Sequence, residues 1–493
     1  MAMKAELIFI PWPLMGHLGQ LVEFTKLIIN WADTKDKLTI KILISRLPDS
    51  VDPVTNTLID SLIINSSENS PAIEFITLPP TDPAPEWSSL SRGYFIQKQL
   101  DSQKPHVKNF IQQRLRDDDD STRILGIVVD MFSTCMIDVA DELGLPSYVF
   151  FTSGAAFFRL MLHFQELQDE QDTDVASKFS NSETDYLEFP SFANPVPSSV
   201  LPIVLTDEQL WLKRFLPCAR GYKRAKGILV NTFYDLESYA LDSLLQHGKT
   251  QKLPRIYPIG PVLNRVPNAK LEVQSMVINW LHQQPKDSVI YISFGSLGSL
   301  ETDQVKELAV GLERSGYRFL WVLRRPPAKD SVVDFPSGYD QFWDILPEGF
   351  LDRTESIGKV VGWAPQLNVL SHQAVGGFIS HCGWNSTLES IWCGVPLATW
   401  PLNSEQQLNA FQLVVELGLS VEISLDYSSR KENQRIIEAH EIERAVRMVM
   451  KSDSEIRKKV IELRDRSRAS VDVGGSSYEA LESLINNMML HNN

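Results

Sequence analysis

Short, almost fully apolar segments separated by amphipathic ones constrain this chain more than any other feature of its sequence. In the first half they include LIFIP (7–11), LTIKILIS (38–45), ILGIVVD (124–130) and GILVNTF (227–233). A strand that is apolar on both faces needs cover on both faces, which is typical of a parallel sheet with helices on either side. The pattern therefore predicts a doubly wound α/β domain.

The same alternation restarts in the second half, with SVIYISFGS (288–296), YRFLWVL (317–323), VGGFIS (375–380) and PLATWP (396–401). Between the two series, IYPIGPVLNRVPNAK (256–270) is dense in Pro, Gly and Asn and has no periodicity, which is typical of a linker. We therefore expect two tandem doubly wound (Rossmann-like) α/β domains that face each other across a cleft. The expected boundaries are 1–255 for the first domain, 256–275 for the linker, 276–470 for the second domain, and 471–493 for a C-terminal helix that packs back on the first domain.

Composition narrows the function classes. The 493 residues carry a formal net charge of −15. Proteins that bind nucleic acid or anionic membranes need clustered positive charge, so this composition argues against both kinds of partner. The N-terminal apolar stretch is too short for a signal peptide, and no apolar run is long enough to span a bilayer. The four cysteines form no CxxC pair. These features predict a cytoplasmic protein with no nucleic-acid partner and no integral membrane segment.

The segment FISHCGWNSTLES (378–390) ends a predicted strand, bends at CGW and begins a helix. It places His381, Asn385, Ser386 and Glu389 within nine positions. Free N–H groups and the helix dipole attract anions to such a helix start, so the segment suits a phosphate or diphosphate. Ser386 and Glu389 also fit a capping box, in which both side chains satisfy backbone donors. Taken alone, the segment favours the capping interpretation.

Two neighbouring segments add polar and aromatic groups at strand ends. In WAPQ, Trp363 offers a flat ring that could stack on a base, and Gln366 supplies an amide three residues on. Downstream, the adjacent carboxylate and amide of Glu405 and Gln406 suit vicinal hydroxyl groups. Each segment alone is weak evidence for a binding site, because a lone Trp usually lies in a core and polar pairs often begin surface helices.

A histidine and an aspartate follow two strands of the first domain. His17 lies just after the first strand, in PLMGHLGQ, and Asp130 ends ILGIVVD. An imidazole can take a proton from a hydroxyl group near neutral pH, and a carboxylate can orient it and stabilise the cation. Either residue could instead cap a helix. The pair is therefore a candidate general base with its partner.

Together these segments resemble a known family. The 44 residues from Trp363 to Gln406 look like the signature box of plant secondary-product glycosyltransferases, the UDP-sugar enzymes of family 1. The N-terminal PxPxxGH pattern and the two-domain layout also fit. The resemblance implies a GT-B type fold, in which the N-terminal domain binds the acceptor and the C-terminal domain binds the UDP-sugar.

The resemblance also implies a role for each matching residue. Trp363 corresponds to the residue that stacks on uracil, and the backbone of Ala364 to the group that pairs with the base edge. His17 corresponds to the catalytic base, and Asp130 to its partner. The remaining implied contacts are Gln366 and Glu389 with the ribose; His381, Asn385, Ser386 and Ser296 with the diphosphate; Trp384, Glu405 and Gln406 with the sugar; and Thr152 with the sugar or a phosphate oxygen.

The reaction implied is an inverting transfer of glucose from UDP-glucose to a hydroxyl group. Glucose is implied because the box ends in glutamine, whereas histidine there accompanies galactose in this family. UDP-glucose would be a co-substrate, with no cofactor and no metal ion, and the protein is expected to be a monomer. The acceptor would be a small lipophilic plant metabolite such as a flavonoid, phenolic, terpenoid or triterpenoid.

Other classes fit the sequence less well. A dinucleotide-dependent oxidoreductase would need GxGxxG after its first strand, and the chain has PLMGHLGQ there. A sugar-nucleotide epimerase on the same architecture would not need the complete box. A binding module without activity would not need both His17 and Asp130.

Overall fold

The computed structural model of the protein describes residues 4–31, 37–49, 51–69, 72–84, 86–87, 90–116, 122–180, 186–250, 253–263, 271–326, 342–429 and 434–490. The segment 264–270 of the predicted linker lies outside them.

The strands alternate with helices along most of the chain. They are β1 (Lys4–Ile10), β2 (Leu38–Ile44), β3 (Ile73–Thr77), β4 (Thr122–Asp130), β5 (Ser147–Phe151), β6 (Tyr186–Leu187), β7 (Val196–Pro197), β8 (Gly227–Val230), β9 (Arg255–Pro258), β10 (Val289–Ser293), β11 (Arg318–Val322), β12 (Gly358–Val361), β13 (Val375–Ser380), β14 (Leu397–Thr399) and β15 (Ser420–Glu422).

The helices are α1 (Met15–Ile29), α2 (Pro53–Asn69), α3 (Arg92–Ser102), α4 (Lys104–Arg116), α5 (Ile137–Glu142), α6 (Ala155–Glu170), α7 (Val175–Ser180), α8 (Ile203–Thr206), α9 (Glu208–Leu210), α10 (Leu216–Arg224), α11 (Tyr234–Thr250), α12 (Leu271–His282), α13 (Thr302–Ser315), α14 (Phe350–Thr354), α15 (Gln366–Leu370), α16 (Trp384–Cys393), α17 (Gln406–Phe411), α18 (Ala439–Val449), α19 (Glu455–Val471) and α20 (Ser476–Leu490). Single 3-10 turns lie at Thr134–Met136, Ser198–Val200 and Phe342–Asp344, and π-helical turns at Trp211–Phe215 and Gln412–Glu416.

The first sheet has the order β3-β2-β1-β4-β5-β8-β9, and every pair is parallel. The strand order reverses between β1 and β4, where neighbouring strands lead to helices on opposite faces. In such sheets, ligands bind outside the carboxyl ends of the strands at this switch point. The topology of the sheet therefore predicts a ligand site at the residues next to the carboxyl ends of β1 and β4.

The second sheet has the order β12-β11-β10-β13-β14-β15, again with every pair parallel. Its switch point lies between β10 and β13. The two doubly wound sheets confirm the predicted fold class. Besides them, β6 and β7 form a short antiparallel pair.

By its contacts the chain divides into two compact units. The first comprises Met1–Val175, Glu208–Ala269 and Ser470–Asn493, and the second comprises Ala176–Asp207 and Lys270–Ala469. In the first unit, α20 contributes Leu484 and Ile485 to the core formed by the β1–β4 side of the sheet.

The segment Ala176–Asp207 comes from the first half of the sequence but packs in the second unit. Phe192 lies edge-on to Phe411, with ring centroids 5.7 Å apart. The carboxylate of Glu416 accepts hydrogen bonds from the backbone N–H groups of Ala193 and Asn194, both at 2.9 Å. These contacts tie the loop after β6 to α17 and the π turn that follows it.

The predicted linker begins too early. Residues 256–258 belong to β9, which pairs with β8 at the edge of the first sheet. Pro258 and Pro261 made this stretch look irregular in the sequence, but an edge strand tolerates a proline at its end.

Among the described residues, no helix is both long and apolar enough to cross a membrane.

Candidate active site

His17 and Asp130 meet at the switch point of the first sheet. Nδ1 of His17 lies 2.9 Å from Oδ2 of Asp130, which is fully buried. The other carboxylate oxygen, Oδ1, accepts a hydrogen bond from the backbone N–H of Phe132 at 2.9 Å. A carboxylate only accepts, so Nδ1 carries the proton and Nε2 keeps its lone pair. The ring is 22% exposed and can act as a base through Nε2.

His17 does not cap α1. The N-cap residue of that helix is Leu14, and no side chain in the described part of the first turn caps it. His17 lies in the first helical turn instead, where its ring reaches across to the neighbouring strand. The capping alternative for this histidine is therefore wrong.

Thr152, just after β5, joins the same cluster. Its Oγ1 lies 3.1 Å from Nδ1 of His17 and donates to Sδ of Met131 at 3.4 Å. The hydroxyl of Tyr222 donates to the carbonyl of Met131 at 3.1 Å. The threonine hydroxyl thus helps to orient the imidazole, a contact that the sequence did not indicate. The predicted contact of Thr152 with the donor stays a prediction.

A buried carboxylate fixes the backbone beside Thr152. Glu237 is 2% exposed, and it accepts hydrogen bonds from the N–H groups of Ala155 at 2.6 Å and Ala156 at 2.9 Å. These groups begin α6, so the carboxylate also meets the positive end of the helix dipole. Because Glu237 lies 82 residues from Ala155 in the sequence, no local pattern pointed to it.

In the second unit, α16 begins directly after the CGW bend. Gly383 is its N-cap residue, and none of the side chains that the structure describes caps the helix. Ser386 lies inside the first turn, so Ser386 and Glu389 form no capping box. The capping interpretation of this segment is wrong, and the helix start remains a place for an anion.

Three of the predicted donor-binding side chains form one hydrogen-bonded cluster. The amide Nε2 of Gln366 donates to Oγ of Ser386 at 2.7 Å and to Oε2 of Glu389 at 2.8 Å. Glu389 is buried, and burial raises its pKa to about 7 although the amide hydrogen bond lowers it. The carboxylate therefore points toward Gln366, and near neutral pH it is poised between its charged and neutral forms.

His381 follows β13 at the switch point of the second sheet. Burial lowers its pKa to about 4, although a hydrogen bond with the backbone of Ser293 raises it, so the ring is neutral at pH 7. A Cβ atom at Gly295 or Gly383 would lie only 2.6 or 2.5 Å from its Nε2, so both positions need glycine. Its Nδ1 is buried and has no hydrogen-bond partner among the described residues. A buried ring nitrogen of this kind needs a partner, and a ligand can supply one.

The residue between His381 and Gly383 is strained. Cys382 has a φ of +59°, a left-handed conformation that costs a non-glycine residue about 1–3 kcal/mol. Its N–H donates to Oγ of Ser380 at 3.1 Å, and its carbonyl accepts from Nδ2 of Asn409 at 2.9 Å. Asn409 thus fixes the bend that precedes α16, and the sequence did not single it out.

The loop after β10 carries Ser296. The guanidinium Nη1 of Arg324 donates to the backbone carbonyl of Ser296 at 2.8 Å and holds this loop from the end of β11. Because β10 and β13 are adjacent, Ser296 and His381 follow neighbouring strands. Arg324 is a further residue that sequence reasoning missed.

The remaining predicted residues lie at the starts of three helices. Trp363 is half-exposed and Ala364 is buried, just before α15. Trp384 is buried and Asn385 half-buried, in the first turn of α16. Glu405 is the N-cap residue of α17.

Gln406 opens α17 with its side chain turned back. Its Oε1 accepts hydrogen bonds from the N–H groups of Leu402 at 2.9 Å and Asn403 at 3.0 Å. The amide therefore holds the loop that follows β14. The predicted contact of Gln406 with a sugar stays a prediction.

Comparisons with known proteins identify the fold and the family. The family described as UDP-glucoronosyl and UDP-glucosyl transferase matches residues 267–464. A UDP-dependent transferase from Siraitia grosvenorii, solved in complex with UDP, aligns with a TM-score of 0.84 and 39% identity over 99% of this chain and 100% of its own. A Medicago truncatula glycosyltransferase complexed with UDP-glucose aligns with a TM-score of 0.83 and 37% identity over 98% of both chains. These structures confirm the GT-B type fold.

Relatedness extends over the whole chain. A putative UDP-glucose flavonoid 3-O-glucosyltransferase from Fragaria ananassa is 47% identical over 98% of this chain and 99% of its own length. The protein belongs to the plant UDP-glycosyltransferases. The resemblance carried by the segment 363–406 is confirmed.

The pKa of Glu389 predicts a pH-dependent affinity for UDP-glucose. If Glu389 binds the ribose as predicted, the ribose hydroxyl groups donate hydrogen bonds to it and favour the ionised carboxylate, so binding below pH 7 must expel a proton. We expect the Kd measured by calorimetry to rise as pH falls from 8 to 6, by at most about tenfold per pH unit below the pKa. His381 stays neutral throughout this range and adds no slope.

The matched variant is Glu389→Gln, which has the same shape and no titrating group. Its Kd should be higher at pH 8 and flat across the range. A wild-type Kd without pH dependence would rule out the ribose role.

Removing the side-chain amide of Asn409, which donates a hydrogen bond to the carbonyl of Cys382, should also weaken the binding of UDP-glucose. In Asn409→Ala the buried carbonyl of Cys382 loses its partner, which costs about 1–3 kcal/mol and loosens the bend before α16. We expect the Kd for UDP-glucose to rise by about 5- to 30-fold, which corresponds to 1–2 kcal/mol. Asn409→Asp keeps the shape but cannot donate as a carboxylate, so it should behave like the alanine variant. Wild-type affinity in both folded variants would contradict this role.

Proposed function

We propose that the protein transfers glucose from UDP-glucose to a hydroxyl group of a small lipophilic plant metabolite and releases UDP and a β-O-glucoside. The observation that carries this proposal is the hydrogen bond between His17 Nδ1 and Asp130. It leaves Nε2 as a base that can accept a proton, in a chain of the UDP-glycosyltransferase family.

The acceptor is activated by His17. Nε2 takes the hydroxyl proton while the acceptor oxygen forms a bond to the anomeric carbon of glucose. The bond from that carbon to the diphosphate breaks on the opposite face, so the configuration inverts. Asp130 stabilises the imidazolium, which then loses its proton to solvent. General base catalysis of this kind contributes about 10²–10⁴-fold.

The second unit holds the donor in this proposal. Trp363 stacks on uracil while the backbone of Ala364 pairs with its edge, and Gln366 and Glu389 bind the ribose. The diphosphate lies at the start of α16, where backbone N–H groups stabilise the charge that grows on the leaving group. The remaining assignments are His381, Asn385, Ser386 and Ser296 to the diphosphate; Trp384, Glu405 and Gln406 to glucose; and Thr152 to glucose or a phosphate oxygen.

The existing Gln366–Ser386–Glu389 cluster supports the donor assignment. These side chains satisfy one another through a single amide. Hydroxyl groups of a ribose can replace these bonds without leaving a buried polar group unpaired.

The acceptor is proposed by class. The Fragaria relative is named for flavonoids, and a flavonoid, phenolic, terpenoid or triterpenoid alcohol is the class we propose here. We also propose a monomeric cytoplasmic enzyme that needs no metal ion and no cofactor. Glucose transfer should persist in excess chelator if no metal ion is needed. The protein should elute from a sizing column at the mass of one chain if it is a monomer. Fractionation of cells that express the protein tests its location.

His17→Ala separates the base from the donor site. We expect transfer from UDP-glucose to a flavonol to fall by at least about 10²-fold because the general base is lost, whereas the calorimetric Kd for UDP-glucose stays within about twofold. His440→Ala is a matched control, since this histidine is exposed and bonded to Glu438, and it should leave the rate unchanged. Transfer at the wild-type rate by His17→Ala would contradict the assignment. Folded wild-type protein that transfers glucose to no hydroxyl compound would contradict the proposed function.

A further inference from the structure

The helix that carries His17 is held at its first residue by a side chain from another helix. The backbone N–H of Met15, which begins α1, donates to Oγ1 of Thr55 in α2 at 3.2 Å. The first N–H groups of a helix have no partner within the helix, and the apolar side chain of Leu14 at the N-cap position cannot accept one. Because Met15 and Thr55 are 40 residues apart, this bond forms only when α1 and α2 pack together.

A buried carboxylate sets the direction of the threonine hydroxyl group. Asp52 lies directly before α2, and both Asp52 and Thr55 are buried. Oδ1 of Asp52 accepts the backbone N–H of Thr55 at 2.9 Å, as an N-cap residue does, and Oδ2 accepts the hydroxyl at 2.5 Å. A carboxylate only accepts, so the hydroxyl proton points to Asp52 and its oxygen keeps lone pairs for Met15. The bonds run from N–H through hydroxyl to carboxylate, and each polarises the next.

The start of α2 is itself fixed to the sheet. Nδ2 of Asn56 donates to the carbonyl of Leu47 at 2.8 Å and to Oδ1 of Asp49 at 2.7 Å. These bonds hold α2 to the loop after β2, the strand that pairs with β1. Since His17 follows β1, the threonine connects the first turn of α1 to the same edge of the sheet.

The residue between Met15 and His17 makes the tether important. A Cβ atom at Gly16 would meet none of the described atoms within 4 Å outside its own helix and chain neighbours, so packing does not hold the backbone there. Glycine also has the greatest backbone freedom of all residues. The position of His17 therefore depends on the bonds at the helix start, which are the Met15 bond to Thr55 and its own N–H bond to the carbonyl of Leu14 at 3.0 Å.

We propose that Thr55, oriented by Asp52, is a positioning residue for glucose transfer. It fixes the first turn of α1, so that His17 keeps its bond to Asp130 and directs Nε2 to the acceptor hydroxyl group. This inference rests on the proposed function, in which His17 is the base, and adds two residues that act through it. Thr55 belongs to the first unit, and the proposed donor residues of the 363–406 segment belong to the second. The tether should therefore affect the transfer step and leave the binding of UDP-glucose unchanged.

The test removes the hydroxyl group with and without the base. Thr55→Val keeps the shape of the side chain, and we expect kcat to fall about tenfold, because a small displacement of a catalytic group is costly. The calorimetric Kd for UDP-glucose should stay within about twofold of the wild-type value, since no donor contact changes. In the His17→Ala background, Thr55→Val should change the residual rate by less than about twofold, because no imidazole is left to position.

Rescue and control variants separate the hydroxyl group from general packing. Thr55→Ser keeps the hydroxyl and should recover at least about half of the wild-type kcat, because the chain of bonds is restored. Thr57→Val makes the same change on the exposed face of α2 and should leave kcat unchanged.

Met15→Pro breaks the same bond from the donor side. The first helical position tolerates proline, and Leu14 already has the extended backbone that precedes one, with φ −130° and ψ 143°. The variant should lower kcat as Thr55→Val does, again without weakening UDP-glucose binding. If Thr55→Val does not fold, Met15→Pro decides alone.

The inference is overturned if folded Thr55→Val has the wild-type kcat, or if Thr55→Ser is as slow as the valine variant. It is also overturned if Thr55→Val slows His17→Ala by the same factor as it slows the wild-type protein, because that is the result of a purely structural threonine. Each of these results leaves the proposed function intact. A wild-type rate in His17→Ala removes the base assignment itself, whatever Thr55 does.

Discussion

The hydrogen bond between His17 and Asp130 is the interaction on which the chemistry depends. It joins a residue that follows β1 to the last residue of the neighbouring parallel strand β4, so it exists only when the first sheet has its correct strand order and register. Asp130 is fully buried and shares its second oxygen with the backbone of Phe132, which leaves the carboxylate one orientation. The tautomer and direction of the imidazole follow from the fold.

In the second unit, polar groups are available for a charged ligand although little charge is buried. His381 is neutral because burial lowers its pKa, and Glu389 is poised between its charged and neutral forms near pH 7 because burial raises its pKa to about 7. A buried ion without a partner would cost several kcal/mol, so neutral groups that gain charge or partners on binding are the cheaper arrangement. Backbone N–H groups at the start of α16 carry the remaining attraction for an anion.

Much of this could be predicted from the sequence. The short apolar strands and the segment 363–406 identified the two doubly wound domains and the family, because both signals lie in contiguous residues. The short strands β3, β9 and β15 were missed, because three to five residues carry little periodicity. The capping box at Ser386 was wrong because the helix begins three residues earlier than the pattern implied. Glu237, Asn409 and Arg324 could not be found, since each acts on a residue that only folding brings near.

A double-mutant cycle on His17 and Asp130 tests most directly whether the two residues act as one catalytic unit. The measurement is kcat/KM for glucose transfer in wild-type protein, His17→Ala, Asp130→Ala and the double variant. If Asp130 acts only through the imidazole, the double variant is no slower than His17→Ala, because the carboxylate has nothing left to orient. If the two effects multiply instead, Asp130 acts independently of His17 and the central claim is wrong.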